Sequence, residues 1–155
     1  MLSLSAYSPE QQEQIGADLA AVCPNGSIIY LHGDLGAGKT TLVRGFLQGL
    51  GHAGTVKSPT YTLLEPYVIG GCNFCHIDLY RLADAGELEY LGLRDLLQEG
   101  ATLLVEWPEK GEGELPVPDL IVHIDYLSQG RNLKLTAETA VGEQILHAVS
   151  GTIGK

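Results

Sequence analysis

Three observations predict an α/β fold. Residues 27–48, SIIYLHGDLGAGKTTLVRGFLQ, run from an apolar strand through a glycine-rich turn into a helix. Amphipathic helices and further apolar strands flank that unit along the chain. The 155 residues, 45% of them hydrophobic, suit one domain, residues 1–155, around a single core.

The turn narrows the prediction. Gly33-Asp34-Leu35-Gly36-Ala37-Gly38-Lys39-Thr40 places Gly33 and Gly38 around four residues, with Lys and Thr following. Glycines let consecutive N–H groups point inward at phosphate oxygens, and the next helix aims its positive end at the same anion. Lys39 would neutralise charge between the last two phosphates, and the Thr40 hydroxyl would ligand Mg2+. The sequence therefore predicts a single-domain P-loop NTPase, its mixed and mostly parallel sheet flanked by helices.

The elements follow in order. Ser8-Pro9-Glu10-Gln11 reads as a capping box with proline at the first helical position, opening a helix over residues 9–22 with Ile15, Leu19 and Val22 on one face. Pro24-Asn25-Gly26 breaks it before the strand that enters the phosphate loop. In the next helix Leu42, Val43, Phe46, Leu47 and Leu50 form an apolar stripe, with Gly51 as its C-cap. Residues 56–62 are rich in hydroxyls, and Pro59 holds Ser58 extended. Loops in this position often sense the terminal phosphate. Residues 61–68 and 73–79 flank Gly70-Gly71 as a hairpin. Residues 84–98 form one helix or two short ones, and 101–107 is an apolar strand suited to the sheet centre. A loop with three prolines leads to strands at 120–126 and 132–136, turning at Gln129-Gly130-Arg131, and a last helix covers 141–149.

Charge restricts the partners. Nineteen acidic against nine basic residues give a net charge of −10, with the basic side chains scattered. Direct high-affinity nucleic-acid binding is disfavoured, because phosphate contacts dominate such affinity. No apolar run reaches membrane-helix length and the N-terminus lacks a secretory pattern, so the expected location is the cytoplasm.

Turnover requires more than a phosphate loop. An acid must hold Mg2+ and a group must position water, and both belong where strands end beside the loop. Asp78 closes Phe74-Cys75-His76-Ile77-Asp78, and Glu106 closes Leu103-Leu104-Val105-Glu106. Spacing leaves open which of the two ligands the metal. Cys72-Asn73-Phe74-Cys75-His76 matches a haem-attachment pattern, but it lies on an expected strand, where residues three apart face opposite ways. Cys23 is far off, so no zinc tetrad forms, and the thiols are expected to stay reduced.

Four segments together resemble the TsaE (YjeE) family over nearly the whole chain. They are Gly33-Asp34-Leu35-Gly36-Ala37-Gly38-Lys39-Thr40-Thr41, Val56-Lys57-Ser58-Pro59-Thr60-Tyr61-Thr62, Asp78-Leu79-Tyr80-Arg81 and Val105-Glu106-Trp107-Pro108. The resemblance implies a small bacterial ATPase that uses ATP and Mg2+, with weak or partner-dependent turnover. It implies work with TsaB and TsaD in forming threonylcarbamoyladenosine on tRNAs reading codons that begin with A, tRNA being met only through the complex. By the same resemblance Lys39, Asp78 and Glu106 are catalytic, and Thr40, Asp78 and Glu106 surround the metal. Residues 34–41 (Asp34, Leu35, Gly36, Ala37, Gly38, Lys39, Thr40 and Thr41) cradle the phosphates. Pro9, Glu10 and Gln11 with Gly130 and Arg131 border the adenine. Ser58, Thr60 and Thr62 form a first switch and Trp107 belongs to a second. A GTPase would need an Asn-Lys-x-Asp motif, which Asn25, Asn73 and Asn132 do not begin. A metabolite kinase would need an arginine clamp, and a nucleotide-gated interaction module would need no hydrolysis.

Overall fold

The computed structural model describes residues 1–56, Pro59 and 62–153. Seven strands form one sheet in the order β1-β7-β6-β2-β5-β4-β3, where β1 is Leu2–Ala6, β2 Ile28–His32, β3 Leu64–Ile69, β4 Cys72–Asp78, β5 Thr102–Glu106, β6 Leu120–Leu127 and β7 Gly130–Ala137. The pairs β6-β2, β2-β5 and β5-β4 are parallel, and the three outer pairs are antiparallel. Only β3 and β7 run against the other strands, so the sheet is mixed with a parallel centre. The middle position belongs to β2, with the fully buried β5 beside it. The expectation that residues 101–107 occupy the centre is thus off by one strand.

Side-chain alternation divides the core in two. Ile29, Leu31, Leu104 and Val122 face α1 (Pro9–Val22), α2 (Lys39–Gly49) and α5 (Ala140–Ile153). Ile77, Leu103 and Val105 face Leu88 of α3 (Glu87–Tyr90) and Leu93 of α4 (Leu93–Gln98). Gly92, at φ 92°, divides these two short helices, a backbone conformation that would break a continuous one.

α1 begins as its sequence specifies. The Ser8 hydroxyl accepts from Gln11 N–H at 3.1 Å, and the Gln11 side chain accepts from Tyr7 N–H at 2.7 Å. Its buried stripe, Gln12, Ile15, Gly16, Leu19 and Ala20, lies against α2. The contact is backbone-close: a Cβ on Gly45 would sit 2.0 Å from the Glu13 carbonyl oxygen, and one on Gly16 would sit 2.3 Å from that of Leu42. α2 ends with His52 N–H bonded to Leu47 C=O and Gly51 N–H to Gln48 C=O, the paired bonds of a Schellman cap.

β1 is absent from the sequence reading. Its alternation Leu-Ser-Leu-Ser-Ala carries the strand period, and it pairs with β7 from the other end of the chain. No described helix is long and apolar enough to cross a membrane.

Candidate functional site

The parallel centre brings the ends of β2, β4 and β5 to one edge of the sheet. There the phosphate loop leaves β2, Asp78 ends β4 and Glu106 ends β5, the two acids standing as direct register partners. A cavity of about 430 Å³ collects Leu35, Gly36, Gly38, Lys39, Thr40 and Thr41 with Asp78, Glu106 and Trp107. Tyr80 and Arg81 complete its wall. Asp34 contributes its carbonyl, which accepts from the Lys39 ammonium at 3.1 Å, as does the carbonyl of Gly33. Burial pushes the Lys39 ammonium below the ordinary lysine value, while Glu106 and Asp78 oppose that shift.

Both acids are buried, Asp78 at 8% exposure and Glu106 at 3%. The Thr40 hydroxyl donates to Glu106 Oε2 at 3.0 Å. That same oxygen lies 2.5 Å from His76 Nε2, a ring with no exposed surface. Asp78 Oδ1 instead accepts from Tyr80 N–H at 3.0 Å. The donor set of one threonine hydroxyl and two carboxylates around a phosphate cradle suits a hard divalent cation such as Mg2+.

The backbone is strained on both sides of this pair. Among the described residues, Leu63 (φ 64°) and Trp107 (φ 58°) are the non-glycine residues with positive φ. Leu63 C=O accepts from Asp78 N–H at 2.9 Å, and its left-handed turn starts β3 at Leu64, later than the expected residue 61. Trp107 directly follows Glu106 and leads into a 3-10 turn at Pro108–Gly111. Its ring stands 5.1 Å from that of Tyr80. Of the expected first switch, Ser58 and Thr60 lie outside the described residues. Thr62 is exposed and does not line the cavity.

A second cavity, about 270 Å³, adjoins the loop at Gly36, Gly38 and Thr41. Gly130, Arg131 and Pro9 line it. Tyr7, Ser8 and Gln12 line it too, whereas Glu10 and Gln11 are exposed and outside its lining, Gln11 turning back to Tyr7 N–H. The Arg131 guanidinium lies 4.3 Å from the centre of the Tyr126 ring, whose hydroxyl donates to Leu35 C=O at 2.7 Å. The Gln12 amide donates to Gly38 C=O at 2.7 Å, so α1 and β6 both hold the phosphate loop.

Sequence reasoning passed over His76, Gln12 and Tyr126. A polar residue in the middle of the apolar face of β4 was the available signal for His76. The thiols behave as core groups: Cys75 has no exposed surface, and burial pushes both Cys23 and Cys75 up to about 12. No group of three His, Cys, Asp or Glu side chains placed to hold a metal ion occurs among the described residues.

The family model for threonylcarbamoyl adenosine biosynthesis protein TsaE matches residues 6–134. The tRNA threonylcarbamoyladenosine biosynthesis protein TsaE of Haemophilus influenzae is 48% identical over 157 residues, covering 97% of this chain and 99% of the relative. The protein of the same description from Bacillus subtilis is 38% identical over 143 residues, covering 92% and 88%. The crystal structure of Bacillus subtilis YdiB superposes with a TM-score of 0.80 at 31% identity, covering 98% of this chain and 95% of that one.

Proposed function

The chain belongs to the TsaE family, and from that premise we propose that it is a Mg2+-dependent ATPase serving tRNA threonylcarbamoyladenosine formation with TsaB and TsaD in the cytoplasm. The family and the P-loop fold imply nucleotide binding and, in general terms, an ATPase. One observation carries the hydrolytic reading: Glu106 is buried at the loop with its carboxylate bonded to the Thr40 hydroxyl.

The roles follow from that contact. The backbone N–H groups of residues 34–41 and the Lys39 ammonium bind the β- and γ-phosphates, which draw Nζ from the carbonyls it now holds. Thr40, Glu106 and Asp78 would hold Mg2+, which when bound neutralises charge on the phosphate oxygens. The attacking water donates a hydrogen bond to the Glu106 carboxylate, which aligns it with the γ-phosphorus. Arg131 and Pro9, both in the lining of the second cavity, border the adenine there. The net charge of −10 leaves tRNA contact to the partners.

The strained Trp107 beside Glu106 favours a second component, in which hydrolysis resets a surface felt by the partners. Reconstitution with TsaB, TsaD, tRNA and ATP tests both. Glu106→Ala is expected to bind ATP, to lose hydrolysis by at least about 100-fold and to fail in sustained tRNA modification. Full modification by that variant would overturn the need for hydrolysis and leave a nucleotide-gated module. Phosphoryl transfer to a small metabolite would favour a kinase.

A further inference from the structure

We propose that His76 is a positioning residue that fixes the Glu106 carboxylate in its working orientation. The inference rests on the reading of Glu106 given above. In the parallel register His76 pairs with Leu104, so Glu106 lies two residues further along β5 on the same face of the sheet. The imidazole reaches it diagonally, with Nε2 2.5 Å from Oε2.

A carboxylate has no hydrogen to give, so Nε2 carries the proton and donates it. The Thr40 hydroxyl donates to the same Oε2 at 3.0 Å. Two donors, one on the phosphate-loop helix and one on the adjacent strand, therefore converge on one oxygen. A free glutamate turns about three side-chain bonds; this one is held at its tip.

The other ring nitrogen explains why a histidine stands here. Nδ1 is buried and has no hydrogen-bond partner among the described residues. An unmatched polar atom in the core costs stability, and a leucine of similar size would avoid that cost. Packing alone thus gives no reason for an imidazole at this position. The bond from Nε2 to Glu106 does. His76 is absent from the lining of the phosphate cavity, so it acts through Glu106 rather than on the nucleotide. Groups that orient metal-binding carboxylates in this way typically change metal affinity or activity by about 10–100-fold when removed.

Three variants of the full chain separate positioning from packing. His76→Leu keeps the volume and removes the donor. His76→Gln places its amide nitrogen near the reach of Nε2, whereas His76→Asn reaches only as far as Nδ1. Two functional readouts apply: the affinity for Mn2+ in the presence of a non-hydrolysable ATP analogue, followed by electron paramagnetic resonance, and kcat and KM for ATP. Thermal midpoints are measured on the same samples.

His76→Leu is expected to lower Mn2+ affinity and kcat by about 10–100-fold. Its KM should stay within about threefold, and its midpoint should change little, because relief of the unmatched Nδ1 offsets the donor lost to Glu106. His76→Gln should recover most of both losses and His76→Asn little. Wild-type Mn2+ affinity in His76→Leu would overturn the proposal. So would equal losses in the Leu and Gln variants accompanied by a falling midpoint, which would mark His76 as a packing residue. If the unaltered protein hydrolyses no ATP even with its partners, the hydrolytic reading fails, while the Mn2+ measurement still decides the role of His76.

Discussion

The Lys39 ammonium sits 4.3 Å from the centre of the Trp107 ring, so the loop lysine and the strained residue after Glu106 are in contact. Phosphates that draw Lys39 forward must also break this contact. Trp107 is the only tryptophan, which makes the event visible. Saturating ATP is expected to shift both the intensity and the wavelength of tryptophan emission, and Lys39→Met should alter emission before any nucleotide is added. An unchanged spectrum at saturation would show that the contact survives binding.

The lowered Lys39 value adds a pH dependence. Burial makes the free protein release this proton below the ordinary 10.5, while phosphates require the charged form. Nucleotide affinity should therefore decline as pH rises, starting below 10.5. Calorimetric titrations from pH 7 up to 10.5 would reveal the decline, and a profile flat through 10.5 would contradict it.

Gln12 predicts an effect on nucleotide affinity from outside the loop. Its amide bonds the Gly38 carbonyl, and a Cβ on Gly38 would lie 2.2 Å from that amide nitrogen. Gly38 also holds φ at 102°. Gln12→Ala should weaken ATP binding by about 5–10-fold through loss of the loop's support, in keeping with about 1 kcal/mol for such a bond. Gly38→Ala should weaken it further. Equal affinities in wild type and Gln12→Ala would remove the amide from the account.

Helix packing predicts opposite outcomes for two glycine-to-alanine changes. Gly45→Ala drives a methyl group into the Glu13 backbone and is expected to cost about 1–3 kcal/mol, lowering the thermal midpoint by roughly 2–4 °C per kcal/mol. Gly151, in α5, faces open space. Gly151→Ala should stabilise by about 0.5–1 kcal/mol through helix propensity alone.

The thiols predict alkaline weakening. Burial raises Cys75 to about 12, against 9.0 for an ordinary thiol. Its stabilising contribution is complete below the unfolded value and is lost as pH rises through the folded one. Stability should fall from about pH 9 upward, by at most about 1.4 kcal/mol per pH unit for this thiol, and the slope should be shallower in Cys75→Ala. Urea midpoints at pH 8 and 10 provide the comparison.

What could be read from the chain was whatever is local. The phosphate loop and the strand-end acids each announce themselves within a few residues, and the start of α1 was legible because Ser8, Pro9 and Gln11 act on their own neighbours. Long-range pairing was not legible. β1 is held by β7, as in the Ser3 hydroxyl bonded to Asn132 across the length of the chain. His76 meets Glu106 only through the register of β4 on β5. Tyr126 meets Leu35 only because β6 pairs with β2. Gly16 and Gly45 are where the backbones of α1 and α2 meet, a contact that no local pattern announces.

That meeting of backbones makes α1 a gauge. One end of the helix borders the second cavity through Ser8 and Pro9, its first turn bonds the phosphate loop through Gln12, and at Gly16 and Gly45 its backbone meets that of α2. On the function proposed above, the span between base and phosphates is thereby set by the packing of α1 on α2. A molecule filling only one cavity would gain nothing from the other, so that function carries selection by length in its scaffold.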